Sequence, residues 1–321
     1  MYNSVTTYAQ QKMEQIKTIL DLMRNLRTQD ECREFLEEQR WHGEPLCPHC
    51  HEQSKYRYKL KSRGEFHGLY KCCKCRKRST VTVGTMFEGG QIPLDKWFYV
   101  IYHFLSYKKG ISSTQFARDM GITQKTAWFM LGRIRHNMKN KVCVRFDDLT
   151  QIDETYVGGR NKDRVKHNQG RSLKTKIPVV GLLSNGIART FVVPNTKGEI
   201  LRPLVRALVR KGSTIITDGW GGYKGLSKDY IHKVVDHGSG EYVRDSFHTN
   251  TIEGFWSLFK RGIFGIYHKV TSKHLEDYCG EFDFRYNTRT FDDMTRFMMF
   301  LELAYKRLKY ATLKADVSYS F

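Results

Sequence analysis

The segment QIDETYV at residues 151–157 decides the fold class of this 321-residue chain. Side chains alternate between the two faces of a strand, so Asp153 and Glu154 cannot both point at one site. Further strands are predicted at 177–183, 188–193 and 213–217, with a helix at 198–211 before the last of them. Three strands, a helix, another strand and later helices indicate an α/β domain.

The chain before this segment has helical periodicity, interrupted by one region that lacks it. Helices are predicted at 8–26, 28–39, 93–108, 113–120 and 123–139. Between them, residues 41–86 are rich in Gly, Cys, Lys and aromatic residues, a composition typical of a small β unit organised by a metal. After the first core strand, residues 160–176 are predicted to form a basic, polar loop.

Two CxxC motifs lie in the small β unit: CPHC contributes Cys47 and Cys50, and CCKC contributes Cys72 and Cys75. With 21 residues between the pairs, the spacing predicts a closed tetrahedral site for structural Zn2+. Three neighbours could compete as ligands: Cys73, His49 and His51. The symmetrical spacing of the two pairs favours the four named cysteines. Cations crowd the same unit, as expected of a ribbon that faces DNA; a solvated basic face is the alternative.

A helix-turn-helix is predicted over residues 111–138, with a glycine in the turn. Its second helix is predicted to expose Lys125, Arg133 and Arg135, while Ala127 and Leu131 turn inward. This arrangement places hydrogen-bond donors where a recognition helix meets base edges and phosphates. A plain helical packing module is the alternative that the sequence leaves open.

The charge of the chain points to a polyanionic partner. Lys and Arg total 54 against 33 Asp and Glu, which gives a net charge of +21. Such a field attracts phosphate and favours counterion release on binding. The N-terminus lacks the apolar stretch of a signal peptide, and no run approaches the roughly 20 apolar residues that a bilayer span needs. We therefore expect a soluble, intracellular protein without membrane contact.

Three acids stand at positions suited to a metal-dependent site: Asp153 within a strand, Asp218 directly after another, and Glu253 in a helix predicted at 251–261. Carboxylates are hard ligands suited to Mg2+. Two such ions roughly 4 Å apart can stabilise the attacking and leaving oxygens of phosphodiester transfer. Lys260 lies on the same helix stripe as Glu253 and is placed to hold a DNA phosphate. Glu154 replaces Asp153 in this set if the strand register is opposite.

The sequence resembles the insertion-sequence transposases that join an N-terminal zinc ribbon to an RNase H-like core with an Asp, Asp, Glu signature. The matching segments are CPHC with CCKC, QIDETYVGG at 151, TDGW at 217, HTNTIEGFWSLFKRG at 248 and FRYNTR at 284. By position, the resemblance implies that Asp153, Asp218 and Glu253 form the metal-binding triad and that Lys260 is the basic residue seven positions after the Glu. Between Asp218 and Glu253 there are 34 residues, close to the separation that such transposases use.

The resemblance also implies a fold and a set of partners. The fold class is a multidomain chain in which a zinc ribbon and a helix-turn-helix precede an α/β RNase H-like core of the DDE integrase type. The implied activity is cleavage and strand transfer of double-stranded DNA, at the terminal inverted repeats of the element and at a target. Mg2+ or Mn2+ would serve in the catalytic site, and Zn2+ would be structural. A homo-oligomeric synaptic complex and a cytoplasmic, nucleoid-associated location are implied as well.

Five regions are predicted: N-terminal helices at 1–40, a zinc ribbon at 41–90, a helix-turn-helix region at 91–141, the catalytic core at 142–310 and a tail at 311–321. Two other functions stay open on the sequence alone. One is a non-catalytic zinc-ribbon DNA-binding protein derived from a transposase, and the other is a nuclease that only hydrolyses DNA. The roles of His248 and Asn250 also stay open, between assisting the metal site and capping the helix.

Overall fold

The computed structural model describes residues 12, 14–52, 58–62, 64–139, 145–158, 173, 175–235, 243–244 and 247–314. Most of the basic loop predicted at 160–176 and most of the tail predicted at 311–321 lie outside the described residues. The chain divides into two compact units. The first comprises 1–108, 113–137 and 291–313, and the second comprises 109–112, 138–290 and 314–321.

Helices and strands follow one another in groups along the described chain. The helices are α1 (Ile19–Asn25), α2 (Gln29–Trp41), α3 (Leu94–Ser106), α4 (Ser113–Met120), α5 (Gln124–Met138), α6 (Gly198–Leu208), α7 (Asn250–Gly265), α8 (Ser272–Asn287), α9 (Asp293–Leu303) and α10 (Tyr310–Lys314). The strands are β1 (Tyr58–Ser62), β2 (Glu65–Lys71), β3 (Arg78–Ser79), β4 (Thr150–Gly158), β5 (Lys176–Ser184), β6 (Ile187–Val192), β7 (Thr214–Asp218), β8 (Ile231–Val235), β9 (Val243–Arg244) and β10 (Phe247–His248). Within the described ranges, each helix is too short or too polar to span a lipid bilayer.

The first two helices begin at matching capping boxes. The Thr18 side chain accepts a hydrogen bond from the Asp21 backbone N–H at 3.2 Å, and the Asp21 carboxylate accepts one from the Thr18 backbone N–H at 3.0 Å. Thr28 and Glu31 repeat this arrangement at the start of α2. Each box satisfies two backbone donors that a helix start leaves unpaired, which explains where both helices begin.

Helix α9 belongs to the first unit, which corrects the predicted extension of the core to residue 310. Phe297 of α9 is fully buried, with its ring centroid 5.4 Å from that of Phe98 and 6.0 Å from that of Tyr102 in α3. The sequence reveals that α9 has an apolar face but not which helix that face covers. Continuity along the chain therefore assigns this helix to the wrong unit.

The second unit contains a five-stranded sheet in the order β6-β5-β4-β7-β8. Strands β4, β5 and β6 pair antiparallel, whereas β7 and β8 run parallel to β4. The four strands predicted from the sequence are confirmed, each within one residue of its predicted ends. The fifth strand, β8, was not predicted, because the polar residues His232 and Lys233 stand in its centre and obscure the apolar pattern of a core strand.

Helices cover the sheet on both sides. On one side, which we call the α6 face, Ile152 and Val180 pack against Leu201 of α6. On the other, which we call the α7 face, Val179 packs in a cluster with Phe255 of α7 and with residues of α8. This makes the second unit a three-layer α/β arrangement.

Helix α8 also closes the outer edge of β6. The Asn287 side chain accepts a hydrogen bond from the Ala188 backbone N–H at 2.7 Å and donates one to the Ala188 carbonyl at 3.0 Å. The Asp283 carboxylate accepts hydrogen bonds from the backbone N–H and the hydroxyl of Thr190, at 3.0 and 2.9 Å. These side chains satisfy backbone groups through which an edge strand would otherwise pair with another chain.

Candidate functional site

Four cysteines of the first unit converge on one point. The sulfur atoms of Cys47, Cys50, Cys72 and Cys75 all lie within 4.8 Å of one another. Two equivalent turns present them: the His51 N–H donates to the Cys47 carbonyl at 2.9 Å, as another N–H four residues after Cys72 donates to the Cys72 carbonyl at 3.0 Å. This twofold repetition follows directly from the doubled CxxC spacing.

The donor set of this cluster fits Zn2+. Burial acts to raise the pKa of the Cys47 thiol, but the backbone N–H groups of His49 and Cys50 and the neighbouring thiols outweigh it and lower that pKa to about 6. Thiolates at tetrahedral spacing are the ligands of structural zinc. The His49 ring lies 3.2 Å from the Arg78 carbonyl and is engaged there, which leaves the four cysteines as the coherent ligand set.

Removal of zinc is expected to unfold the ribbon, because a segment this small buries little core and metal binding supplies much of its folding free energy. Cys72→Ser should abolish binding of one zinc per chain, measured by elemental analysis of the purified protein. Cys73→Ser is the matched control and should retain the metal. Equal loss of zinc from both variants, or no zinc in the intact wild type, would contradict this ligand assignment.

The second unit places Asp153 and Asp218 side by side on the sheet. Strands β4 and β7 run parallel, with Gln151 opposite Ile216. Two residues further along both strands come Asp153 and Asp218, so both side chains project from the same face as Gln151. The Asp218 carboxylate accepts a hydrogen bond at 3.0 Å from the backbone N–H of Trp220, which turns the chain away from the end of β7.

Glu253 reaches the same region from α7. Its helix lies on the α7 face through buried residues that include Ile252, Phe255 and Trp256. Glu253 itself is exposed in the first turn, and its carboxylate accepts a hydrogen bond from the Thr249 hydroxyl at 2.8 Å. The three predicted acids therefore approach one another at the solvent-accessible end of the α7 face.

The pKa of Asp153 reflects the presence of the other acids. Burial, followed by the negative charges of Glu154, Asp218 and Glu253, raises the pKa of the Asp153 carboxyl to about 7. A hydrogen bond of 2.8 Å from the Glu154 backbone N–H acts in the opposite direction but is outweighed. Carboxylates that destabilise one another's charge in this way are stabilised by a bound cation.

The carboxylate set fits Mg2+ or Mn2+ in chemistry. Both ions prefer oxygen ligands and are bound through few protein carboxylates. In the described part of the chain, the cysteine cluster is the one group of three or more potential ligands packed within 4.8 Å. Asp153, Asp218 and Glu253 do not form such a group in the described part of the chain.

Glu154 points away from this site. It is buried on the α6 face, where its carboxylate accepts a hydrogen bond of 2.8 Å from the hydroxyl of Tyr223. Tyr223 is fully buried, and burial together with the Glu154 charge raises the pKa of its hydroxyl well above the usual value. The register of β4 thus directs Asp153, and not Glu154, towards Asp218 and Glu253.

Gly181 is a feature of the site that sequence reasoning missed. It pairs with Asp153 across β4 and β5, and a Cβ atom at this position would lie 2.6 Å from the Trp256 ring. The absence of a side chain lets the indole rest on the sheet, three residues after Glu253. A glycine inside a predicted strand signals close approach by another group, but only the fold identifies Trp256 as that group.

Gly181→Ala is expected to displace Trp256 and with it the start of α7. Because misplacement of a catalytic group by about 1 Å costs on the order of 100-fold in rate, this single methyl should lower DNA cleavage by ~10- to 100-fold. The zinc content, which depends on the first unit, should not change. Cleavage at the wild-type rate would show that Trp256 accommodates the methyl without moving Glu253. A matched control is Gly265→Ala, at a glycine of the same unit that has open space around it and no positive φ.

Asn250 and Lys260 stand on the same helix as Glu253, and His248 precedes Glu253 by five residues in the chain. Lys260 is exposed on α7, seven residues after Glu253. Asn250 is the exposed first residue of the helix, and Thr249 occupies the N-cap without a side-chain cap hydrogen bond. The side chain of His248 lies outside the described set, so its role stays a question of sequence.

The predicted exposure of Arg133 and Arg135 on α5 is wrong. Arg133 is 3% exposed, and its guanidinium donates to the carbonyls of Leu308, Met86 and Glu88 at 2.6–3.2 Å. Arg135 is 4% exposed and lies over the Phe104 ring, 5.4 Å from its centroid. The helix is surrounded by protein over its second half, so the predicted outward stripe ends after its first turns.

Lys125 remains at the surface of the predicted recognition helix. It is exposed near the start of α5, with its ammonium group 5.4 Å from the centroid of the Tyr310 ring. Helices α4 and α5 flank Gly121, whose φ of 61° lies in the left-handed region that the turn requires. Residues at the start of the second helix are those that contact bases in a helix-turn-helix.

Sequence comparison matches two segments of the chain to known domains. Residues 27–78 match the transposase zinc-ribbon domain, and residues 145–287 match the ISXO2-like transposase domain. An uncharacterized protein in the transposable element ISH50 of Halobacterium salinarum is 28% identical over 264 residues, covering 77% of this chain and 86% of that protein. An uncharacterized transposase-like protein of Haemophilus influenzae is 29% identical over 99 residues, covering 30% of this chain and 79% of that protein.

Both matched domains coincide with the structural features described above. The zinc-ribbon match contains all four converging cysteines, and the transposase match contains Asp153, Asp218 and Glu253. The zinc-ribbon domain precedes the transposase domain, as in the family that the sequence resembles. The chain therefore belongs to the insertion-sequence transposases in which a transposase zinc-ribbon domain precedes an ISXO2-like transposase domain.

Proposed function

We propose that this transposase cleaves and joins DNA strands at the terminal inverted repeats of its element, using two divalent metal ions held by Asp153, Asp218 and Glu253. The observation that carries the proposal is that Asp218 on β7 and Glu253 on α7 lie near enough to Asp153 for their negative charges to raise its pKa. The second unit would be an RNase H-like core. Its support is the order of three antiparallel strands, a helix and two strands parallel to the first.

Side chains of the protein would position the metal ions and the DNA. Asp153 and Asp218 stand on neighbouring strands, and Glu253 stands in the first turn of a helix that packs on the same face of the sheet. When bound there, two Mg2+ ions would stabilise the attacking and the leaving oxygen of the phosphodiester. Lys260 lies about 10 Å further along α7 and would bind a backbone phosphate beside the scissile one.

The first unit would grip double-stranded DNA. Among the described residues of the zinc ribbon, six cations are exposed: Lys59, Lys61, Lys74, Arg76, Lys77 and Arg78. Together with Lys125 they offer phosphate contacts, which fix the protein on the duplex and make its affinity depend on salt. We propose a homo-oligomeric complex that holds two element ends, as the family resemblance implies.

The test is cleavage and strand transfer of a duplex that carries the native element ends, in Mg2+ or in EDTA. Wild-type protein should give joined products only with the metal, and Glu253→Gln should give none while binding DNA within a few-fold of wild type. Glu199→Gln is the matched control, because Glu199 also stands exposed in the first turn of a helix, but on the α6 face.

Three results would overturn the proposal or part of it. Near-normal joining by Glu253→Gln would remove Glu253 from the site. Cleavage without strand joining, together with a failure to join pre-cleaved ends, would favour a hydrolytic nuclease. DNA binding without chemistry by folded, zinc-loaded wild type would favour a non-catalytic DNA-binding protein.

A further inference from the structure

The helix that carries Glu253 is not capped by its own sequence. Thr249 occupies the N-cap, but its hydroxyl donates to the Glu253 carboxylate instead of accepting from the first turn. The first backbone N–H groups of a helix lack partners within the helix and need an outside acceptor. For the N–H of Ile252, the acceptor is the Gln151 side-chain oxygen, at 2.9 Å.

Gln151 supplies this cap from the strand that carries Asp153. It lies two residues before Asp153 on the same face of β4, and it is 5% exposed. Its amide nitrogen donates to the Thr251 hydroxyl at 3.4 Å, so both ends of the amide are directed at the first turn of α7. The cap joins residues that are 101 positions apart in the chain.

The strand end of this contact is held firmly. Gln151 pairs with Leu183 of β5 on one side and with Ile216 of β7 on the other, so its backbone sits in the centre of the sheet. A side chain on a central strand, with both polar ends engaged, has little freedom to move. Its contact with Ile252 therefore transmits the position of β4 to the residue that directly precedes Glu253.

We infer that Gln151 is a positioning residue, which fixes the distance between Glu253 and Asp153 by capping α7 from the strand of Asp153. The inference rests on the proposed metal-dependent function for its consequence, but the capping contact itself is independent of that function. Groups that orient metal ligands typically change metal affinity or activity by ~10- to 100-fold when they are removed. A residue of merely structural importance would instead lower stability without a selective effect on metal binding.

The structure offers a matched control in Asn287. Its side-chain amide also makes one accepting and one donating hydrogen bond to distant chain, at Ala188, 99 positions away. It lies in the same unit, but at the outer edge of β6 and not beside the acids. Gln151→Leu and Asn287→Leu thus remove comparable amide contacts from two places, and only the first should disturb the carboxylates.

Two measurements on the full-length, zinc-loaded protein test the inference without relying on activity. Hydrogen exchange of the backbone amides at 249–254 should be roughly tenfold faster in Gln151→Leu, as expected for the loss of a helix cap. It should stay unchanged in Asn287→Leu. Gln151→Glu keeps an oxygen that can accept from Ile252 and should restore the protection of that amide. Calorimetric titration with Mn2+ should show an affinity ~10- to 100-fold weaker in Gln151→Leu.

Each outcome decides one of the two claims. Faster exchange at 249–254 with weaker Mn2+ binding, in Gln151→Leu alone, supports the positioning role. Unchanged exchange, or equal weakening of Mn2+ binding by both leucine variants, overturns it even if the wild type cleaves DNA. Absence of both Mn2+ binding and cleavage in the wild type would refute the proposed function. In that case unchanged exchange in Gln151→Leu would overturn the capping contact as well, and faster exchange would support it.

Discussion

Asp153→Asn is expected to abolish DNA cleavage and, without divalent metal, to make the folded protein more stable at pH 8. Cleavage should fall by at least ~1,000-fold, because ion binding and the developing charge of the transition state both depend on this carboxylate. The gain in stability has a separate cause: burial and three neighbouring acids raise the pKa of Asp153 to about 7. Active-site residues that oppose folding in this way reflect a trade of stability for function.

The sign of the pH dependence follows from proton binding. The ordinary pKa of this carboxyl is 3.8, so between about pH 4 and pH 7 the folded protein holds a proton that the unfolded chain has released. The contribution of Asp153 to stability is therefore present at low pH, declines across this window and is lost above pH 7. An asparagine has no such dependence, so the two proteins should differ more at pH 8 than at pH 4.

Thermal unfolding in EDTA at pH 5 and pH 8 measures this difference. Addition of Mg2+ should then stabilise the wild type and leave Asp153→Asn almost unchanged. Asp147→Asn is the control, because Asp147 is an exposed acid just before β4. A difference between Asp153→Asn and wild type that is the same at both pH values would contradict the account of the buried carboxylate.

Arg133→Met is expected to destabilise the first unit by roughly 2–5 kcal/mol, because each buried carbonyl that loses its donor costs about 1–3 kcal/mol. The guanidinium donates to three carbonyls: those of Met86 and Glu88, which follow the matched zinc-ribbon segment 27–78, and that of Leu308, which follows α9. Methionine fills similar volume but donates nothing. All three carbonyls would lose their donor, and at least two of these hydrogen bonds are fully buried.

Urea unfolding with zinc release as the signal reports on the unit that contains Arg133. Lys125→Ala is the matched control on the same helix, and it should leave stability within about 0.5 kcal/mol, as is usual for surface substitutions. Lys125→Ala should instead weaken DNA binding and reduce its dependence on salt. If Arg133→Met unfolded like the wild type and bound DNA poorly, the original assignment of Arg133 to DNA contact would be restored.

The two arginines on α5 show where sequence reasoning stops. Helical spacing predicts which residues share a face, and it places Ala127 and Leu131 inside, as observed. It does not predict that other segments cover the remaining faces. The segment around Leu308 lies 175 residues from Arg133, and only its arrival makes the guanidinium a buried structural group. Spacing alone could not distinguish this from exposure to a phosphate.

The acids show the opposite case, in which a tertiary contact resolves a choice that the sequence left open. Alternation along β4 left a choice between Asp153 and Glu154, and the hydrogen bond from Tyr223 to Glu154 on the α6 face resolves it. That Asp153, Asp218 and Glu253 hold the catalytic metal ions stays a prediction, which the variants above test. Their placement on one face depends on a parallel pairing of β4 with β7, which no local pattern specifies.

By itself, the sequence determined the features whose physics is local. The doubled CxxC spacing specified which thiols meet, because four sulfurs on two tight turns can satisfy one tetrahedral ion. Periodicity located four of the five strands of the core sheet, because side-chain direction depends only on the backbone of the strand. Tertiary structure alone decided what lies opposite each residue: Trp256 over Gly181, Gln151 under the start of α7, and three carbonyls around Arg133. Those contacts join positions far apart in the chain, and they form only when the whole core packs, so no short segment contains the information that specifies them.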